Sequence, residues 1–302
     1  MDRPPSAPLV RIATRASPLA LWQAERAGVL IAETSGATID LLPLTTAGDR
    51  NRRDTPLGES GGKGLFVGEL EVALAEGRAD IAVHSMKDVP TLPPAGFTVT
   101  TIGARADARD ALVAGAGTFD ALPDGARVGS SSPRRRAQLL FARPDLVPVP
   151  VRGNVGTRLA KLDAGDVDAL VLACAGLDRL GLGQRISQRL PVDLCLPPPG
   201  QGALAVEYAT DREDLVRLLT PAIDAHTERA VAAERALTRA LGADCTTPLG
   251  AHATVDGDAI TLRATLLGPE GDHARSVADR GTDPIELGKR LADALVRLGA
   301  TV

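Results

Sequence analysis

Apolar and polar positions divide the chain into strand-length apolar runs followed by helix-like stretches. VRIAT (10–14) precedes a helix-like segment at 18–33, IDLLPLTT (39–46) follows, and KGLFVGELEVALAEG (63–77) leads into DIAVHS (80–85). Beyond residue 105 the rhythm returns with ARVGSS (126–131), a helix from Arg135 to Phe141, VPVPVRG (147–153), a helix from Asn154 to Ala164, and DALVLACAG (168–176). Continuous apolar runs alternating with helical segments are the pattern of strands buried on both faces of a parallel α/β sheet. Two α/β lobes are predicted.

The Pro/Gly-rich stretch LCLPPPGQG (194–202) reads as a connector, and ALAVEY (203–208) as one more buried strand able to return to the first lobe. From about residue 222 the pattern changes. A long helix, ERAVAAERALTRALG (228–242), is followed by a polar loop and by ITLRATLLGPEGDHARSVADRG, whose alternation and GPEG turn predict an antiparallel hairpin; a helix at 284–298 closes the chain. The predicted class is α/β, with two lobes (1–104 with 200–221, and 105–199) and a small α+β third domain with an antiparallel sheet (222–302).

A length of 302 residues, with 44% hydrophobic and 24% charged, gives ample core for two or three domains and excludes disorder as the main theme. No apolar run approaches the roughly 18 residues of a spanning helix. The opening MDRPPSAPLV lacks the layout of a secretory signal, so a cytoplasmic location and no membrane partner are expected. A net charge of −4 and only 2% aromatic residues argue against a nucleic-acid grip, so a positive cluster here would serve a small anion. The cysteines Cys174, Cys195 and Cys245 are odd in number without C-x-x-C spacing. Neither a disulfide framework nor a metal site is expected.

Familiar phosphate motifs fail: there is no G-x-G-x-x-G, and GESGGKG (58–64) has the wrong glycine spacing for a P-loop and Gly64 where a hydroxyl should hold magnesium. GGKG suits a turn, or a lid whose backbone N–H groups and Lys63 approach an anion. In open α/β sheets, ligands sit beyond the carboxyl ends of the strands. Arg15 and Ser17 follow the first strand, Lys87 and Asp88 follow DIAVHS, Arg134, Arg135 and Arg136 follow ARVGSS, and Arg152 with Arg158 follows VPVPV. Arginine binds carboxylates through two parallel hydrogen bonds, so several on one rim predict a ligand with several carboxylates or phosphates. Asp88 is the acid placed within that rim, suited to stabilising a cation or shuttling a proton; the plain alternative is a salt bridge to a neighbouring cation. His84 reads as a packed or hydrogen-bonded histidine. Cys174 and Cys195 lie in apolar surroundings and are expected to be inert, whereas Cys245, in the polar loop GADCTTPLG, is placed to be nucleophilic.

Taken together, RIATRASPLALWQ, GGKGLFVGELEVALAEGRADIAVHSMKDVP, GSSSPRRR, VRGNVGTRLAKLD, LACAGLDRLGL, LPPPGQGA and ADCTTPLG resemble the porphobilinogen deaminase (hydroxymethylbilane synthase) family, in order and over nearly the whole chain. The resemblance implies two periplasmic-binding-protein-like lobes and a third domain carrying a cysteine. It implies a monomer that condenses four porphobilinogen units onto a covalent dipyrromethane cofactor, with ammonia released at each step. On the matching positions, Arg15, Ser17, Lys63, Lys87, Arg134, Arg135, Arg152 and Arg158 would hold carboxylates, with Gln23 and Gln201 as secondary polar contacts. Asp88 would be the catalytic aspartate that stabilises the azafulvene, and Cys245 the thioether attachment point. Ala243 and Asp244 stand where the family has Gly-Gly or Ala-Gly, and the carboxylate of Asp244 is expected to raise the thiol pKa and slow attachment. Pro133 replaces an aliphatic residue, acceptably at a first helical turn. The competing reading, a bilobal solute-binding or ligand-sensing protein for a polycarboxylate, explains the lobes and arginines but not Asp88 and Cys245 together.

Overall fold

The computed structural model describes residues 7–46, 68–115 and 117–300. Lys63 and the GGKG segment (61–64) read as a turn or lid lie outside the described residues. Along the chain come β1 (Leu9–Arg15), α1 (Pro18–Ser35), β2 (Thr38–Leu44), α2 (Gly68–Ala75), β3 (Ile81–Ser85) and β4 (Phe97–Ile102). There follow β5 (Asp110–Ala114), β6 (Arg127–Gly129), α3 (Pro133–Ala142), β7 (Val147–Val149), α4 (Val155–Asp163), β8 (Ala169–Ala173), α5 (Cys174–Arg179) and β9 (Gln188–Arg189). The last elements are β10 (Leu204–Ala209), α6 (Glu213–Leu219), α7 (Ala225–Leu241), β11 (Leu249–Asp256), β12 (Ala259–Leu266), β13 (Arg275–Gly281) and α8 (Pro284–Arg297). The chain divides into two compact units, 1–104 with 203–225 and 105–202 with 226–302.

In the first unit the strands run β2-β1-β3-β10-β4. β1 is parallel to β2 and β3, and the returning strand β10 is antiparallel to β3 and β4. ALAVEY thus joins the first sheet, but in a mixed sheet rather than an all-parallel one. Continuous apolarity reports burial on both faces and is blind to strand direction. Helix α1 begins where Ser17 accepts a hydrogen bond from the Ala20 amide and Pro18 takes the first turn; it buries Ala24, Ala27 and Ile31 against the sheet.

The second unit holds a sheet of order β7-β6-β8-β5-β9, with β5 antiparallel to β8 and β9. Alternate side chains enter separate cores: Leu112 and Val171 pack with Phe119 and Leu139, while Val113, Leu170 and Leu172 pack with Val151 and Leu177. Both faces are covered, which is why LVLA reads as an unbroken apolar run. The predicted strand 168–176 stops at Ala173, where Cys174 opens a short helix.

The same unit contains the antiparallel meander β11-β12-β13. Ile260, Leu262 and Ala264 on one face of β12 meet Ala233 and Leu237 of α7 and Leu287, Leu291 and Leu295 of α8. The expected hairpin, long helix and closing helix are all present, each with its own share of this core. Gly202, in the connector, has φ +90, and a Cβ there would come 2.5 Å from the Ala106 carbonyl oxygen. Only glycine permits both the turn and the approach.

Glu234 of α7 is fully buried and ties this unit together. Its carboxylate accepts from Arg105 Nη1 at 2.7 Å and Nη2 at 3.2 Å, and from the amides of Gly200 and Ala253, each at 2.7 Å. Burial alone would raise its pKa, but Arg105 and His252 outweigh burial and hold it at about 2. A carboxyl depressed in the folded state stabilises above its unfolded pKa and loses that contribution as pH falls. Glu234→Gln keeps the shape and leaves Arg105 without its counter-charge, so a loss of about 3–5 kcal/mol is expected at neutral pH. In acid titrations followed by circular dichroism, the native chain should lose stability more steeply than the variant as pH falls from 4.5 toward about 2. Equal stability of the two proteins at pH 7 would refute this role.

Candidate functional site

In the first unit, two adjacent parallel strands end side by side, since β1 pairs with β3 at Ile12↔Ile81 and Ala13↔Ala82. Arg15 is the last residue of β1 and Ser17 caps the helix that follows. Beyond β3 a single tight turn, Met86–Asp88, carries Lys87 and an exposed Asp88. Met86 is buried and its amide donates to the Ala203 carbonyl at 3.1 Å, fixing the turn to β10. Gln23 is buried, and its Nε2 donates to Ser85 Oγ at 2.8 Å, locking α1 to the end of β3. Arg15, Ser17, Gln23, Lys87 and Asp88 are thus gathered at one sheet edge. Among the described residues no cation pairs with Asp88, so the salt-bridge alternative is not what this unit displays.

Behind that turn His84 is buried and bonds Glu207 at 2.9 Å, as a packed histidine would. Glu71 is held above its usual pKa by its own burial and then by the charge of Glu207, with His84 opposing.

In the second unit the carboxyl ends of β6 and β7 are neighbours. The Ser130 amide donates to the Val149 carbonyl at 2.9 Å and Ser131 Oγ to the Val151 carbonyl at 2.9 Å, stitching the two rim loops together. Ser132 caps α3, and Asn154 caps α4 by accepting from the Thr157 amide at 2.9 Å. Arg152 is exposed; Arg158 is half-buried, with Nε donating to the Gly153 carbonyl at 2.8 Å. Gly153, at φ +114, allows the tight turn between them.

Arg134 and Arg135 differ from the open rim expected of them. They are 3% and 6% exposed, turned inward onto Asp110, which is itself 0% exposed. The physical reason is the pitch of α3: successive positions 134 and 135 face the sheet, while Arg136 points outward to an exposed ion pair with Glu270 at 2.7 Å. Arg134 Nη2 reaches Asp110 Oδ2 at 2.6 Å and Arg135 Nη2 reaches Oδ1 at 2.6 Å. Their Nη1 groups donate to the carbonyls of Leu196 at 2.7 Å and Val171 at 3.0 Å, and both Nε groups are buried without an acceptor. Gln201, 1% exposed, donates to Asp110 Oδ1 at 2.8 Å and to the Ala108 carbonyl at 2.7 Å. Burial would raise the Asp110 pKa, but Arg134 and Arg135 hold it well below the carboxylate range. Sequence reasoning passed over Asp110. Its only signal is an acid opening the apolar run DALVA, and no spacing says that two arginines reach it.

The three thiols separate by burial. Cys174 and Cys195 are buried, and desolvation pushes each up to about 12. Cys245 is exposed, in the loop between α7 and β11. Its neighbour Asp244 turns its carboxylate to Thr246, accepting from the amide at 2.9 Å and from Oγ1 at 2.6 Å, so the charge is engaged in the turn.

Residues 10–217 match the family model described as porphobilinogen deaminase, dipyromethane cofactor binding domain, and residues 229–297 match that of the porphobilinogen deaminase C-terminal domain. Curated porphobilinogen deaminases from two strains of Acidithiobacillus ferrooxidans are each 49% identical over 295 residues, covering 96% of this chain and 95% of theirs. Among solved structures, the periplasmic VFT2 domain of Bordetella pertussis BvgS is similar at 18% identity and TM-score 0.44, covering 76% of this chain and 92% of its own. The Escherichia coli aliphatic sulphonate binding protein SsuA is similar at 16% identity and TM-score 0.40, covering 78% of this chain and 70% of its own.

The contrast among the thiols is directly measurable. Brief treatment of the native, adduct-free chain with iodoacetamide near pH 8 should alkylate Cys245 and leave Cys174 and Cys195 unmodified until the chain is denatured. Peptide mapping that finds either buried cysteine labelled first would contradict the assignment.

Proposed function

The chain belongs to the porphobilinogen deaminase family, and we propose that Asp88 is its catalytic carboxylate and Cys245 the thiol that carries its dipyrromethane cofactor. The enzyme joins four porphobilinogen units head to tail, releasing ammonia at each condensation and hydroxymethylbilane at the end, in tetrapyrrole biosynthesis. Family membership sets aside the solute-binding reading.

The residues present suit a covalently held polycarboxylate. Cys245 is an exposed thiol on a polar loop. Arg134 and Arg135 have two buried, unsatisfied Nε–H donors and share a single carboxylate. Surplus positive charge and unmade hydrogen bonds, each costing about 1–3 kcal/mol when buried, are what a ligand carboxylate relieves. When bound, the cofactor supplies the nucleophilic pyrrole position to which the first substrate unit is joined. We assign Arg134, Arg135, Arg152 and Arg158 in the second unit, and Arg15, Ser17 and Lys87 in the first, to the carboxylates of cofactor, chain and substrate. Lys63 is assigned with them on its sequence position. Gln23 and Gln201 act behind them, through Ser85 and Asp110.

For Asp88, position carries the reading. It stands on a short turn pinned by Met86, beside Lys87 and within one sheet edge of Arg15. A carboxylate there can accept a pyrrole N–H and stabilise the positive charge that develops on the substrate as ammonia leaves. Preorganised groups of this kind contribute about 3–4 kcal/mol. We further read the enzyme as a cytoplasmic monomer acting on a small molecule, without a nucleic-acid or membrane partner, and built of three domains (1–104 with 200–221, 105–199 and 222–302). The net charge of −4 and the separate core of the C-terminal sheet support that reading.

Two experiments test the roles. Asp88→Asn should retain the cofactor while turnover falls by a factor on the order of 10² or more; near-native turnover would remove Asp88 from catalysis. The native chain, treated with dithiothreitol and denatured, should keep an added dipyrrole mass on the peptide containing Cys245, because a thioether resists reduction. Cys245→Ser should fold without that mass. An adduct on Cys174 or Cys195 would overturn the attachment site.

A further inference from the structure

Inside the second unit, two guanidinium groups lean on one carboxylate. Asp110 is the first residue of β5 and is fully buried. Four donors saturate its two oxygens: Arg134 Nη2 at 2.6 Å and Cys195 Sγ at 3.3 Å on Oδ2, and Arg135 Nη2 at 2.6 Å and Gln201 Nε2 at 2.8 Å on Oδ1. Cys195 is a neutral thiol here, because burial and the adjacent carboxylate push its pKa up to about 12. The cluster therefore combines two positive charges with one negative, and keeps a surplus of one.

We propose that Asp110, braced by Gln201, is the positioning residue that sets Arg134 and Arg135 for a carboxylate of the dipyrromethane cofactor; this rests on reading those two arginines as carboxylate-binding. Two neighbouring guanidinium groups repel one another, and each hangs on a long side chain with several rotatable bonds. Asp110 overcomes both difficulties from a rigid strand. Each of its oxygens takes one Nη2, so the two heads are drawn to the same anchor, while the Leu196 and Val171 carbonyls fix their Nη1 ends. The Nε edges alone are left without an acceptor. Gln201, donating to both Asp110 and the Ala108 carbonyl, stops the carboxylate from rotating. The result is an oriented pair of donors whose net charge complements a single carboxylate.

The test compares purified chains free of cofactor, incubated with porphobilinogen, by two readouts: the fraction carrying the covalent dipyrrole in intact-mass spectra, and the thermal melt followed by circular dichroism. Asp110→Asn alone can unfold the chain by leaving two buried cations together, so the decisive pair is Arg134→Gln against Arg134→Gln with Asp110→Asn. The double variant carries the same surplus charge as the native cluster. With Arg135 left buried and without a counter-charge it should melt below the single variant, so loading is compared at a temperature where circular dichroism shows both variants folded. There it should load at least tenfold more slowly, because Arg135 is no longer held. Equal loading by the two variants, with Arg134→Gln itself slower than native, would overturn the role of Asp110 and leave the arginine reading standing. Native loading by both Arg134→Gln and Arg135→Gln would remove the arginine reading, and the proposal with it.

Discussion

A buried carboxylate that cannot balance the charge around it governs the second lobe. Taking ions out of water costs several kcal/mol each, and the attraction between them recovers that only with good geometry and satisfied neighbours. Asp110 meets both conditions for itself, since each of its oxygens has two donors. Arg134 and Arg135 meet them only in part, since their Nε groups find no acceptor. A cluster so arranged holds α3 against the sheet and keeps one positive charge in surplus. Stability alone would be better served by apolar residues of similar volume. The incomplete satisfaction is what supports the proposed carboxylate-binding role.

Glu234 shows the contrasting solution. There a single buried carboxylate faces Arg105 and two backbone amides, with His252 nearby at 3.5 Å. The arrangement joins residues near 105, near 200 and near 253 to one helix. His252 Nδ1 is left there without a hydrogen-bond partner, but the charge of Arg105 is matched by one carboxylate. The two clusters differ because one matches its arginine with a carboxylate and the other sets two arginines on one.

Position at the strand ends explains the first unit in the same physical terms. Parallel strands β1 and β3 bring Arg15 and Ser17 to the edge occupied by Lys87 and Asp88, although about seventy residues separate them in the chain. The buried contacts behind that edge, Gln23 to Ser85 and His84 to Glu207, hold the backbone that presents Asp88 while leaving its carboxylate exposed. A rigid support behind an exposed charged group fixes where that carboxylate is presented.

Local pattern alone determined a good deal. Apolar runs located β1, β3, β6, β8 and β10, and the helix-like stretches between them located α1, α3 and α4, because both patterns are local; the caps Ser17, Ser132 and Asn154 were recognised only in the structure. The alternation in ITLRATLL announced the antiparallel sheet, and the polar setting of Cys245 distinguished it from Cys174 and Cys195, because both signals are also local. Strand direction was not legible, and β5 and β10 proved antiparallel to their neighbours, because apolarity reports burial and carries no sign for direction. Nor was the inward turn of Arg134 and Arg135 legible: it depends on Asp110, 24 and 25 residues away, and on Gln201, itself 91 residues from Asp110. Charged side chains at a strand end can face water or a buried partner at similar local cost. Which of the two they do is decided only when the sheet and its helices bring distant residues together.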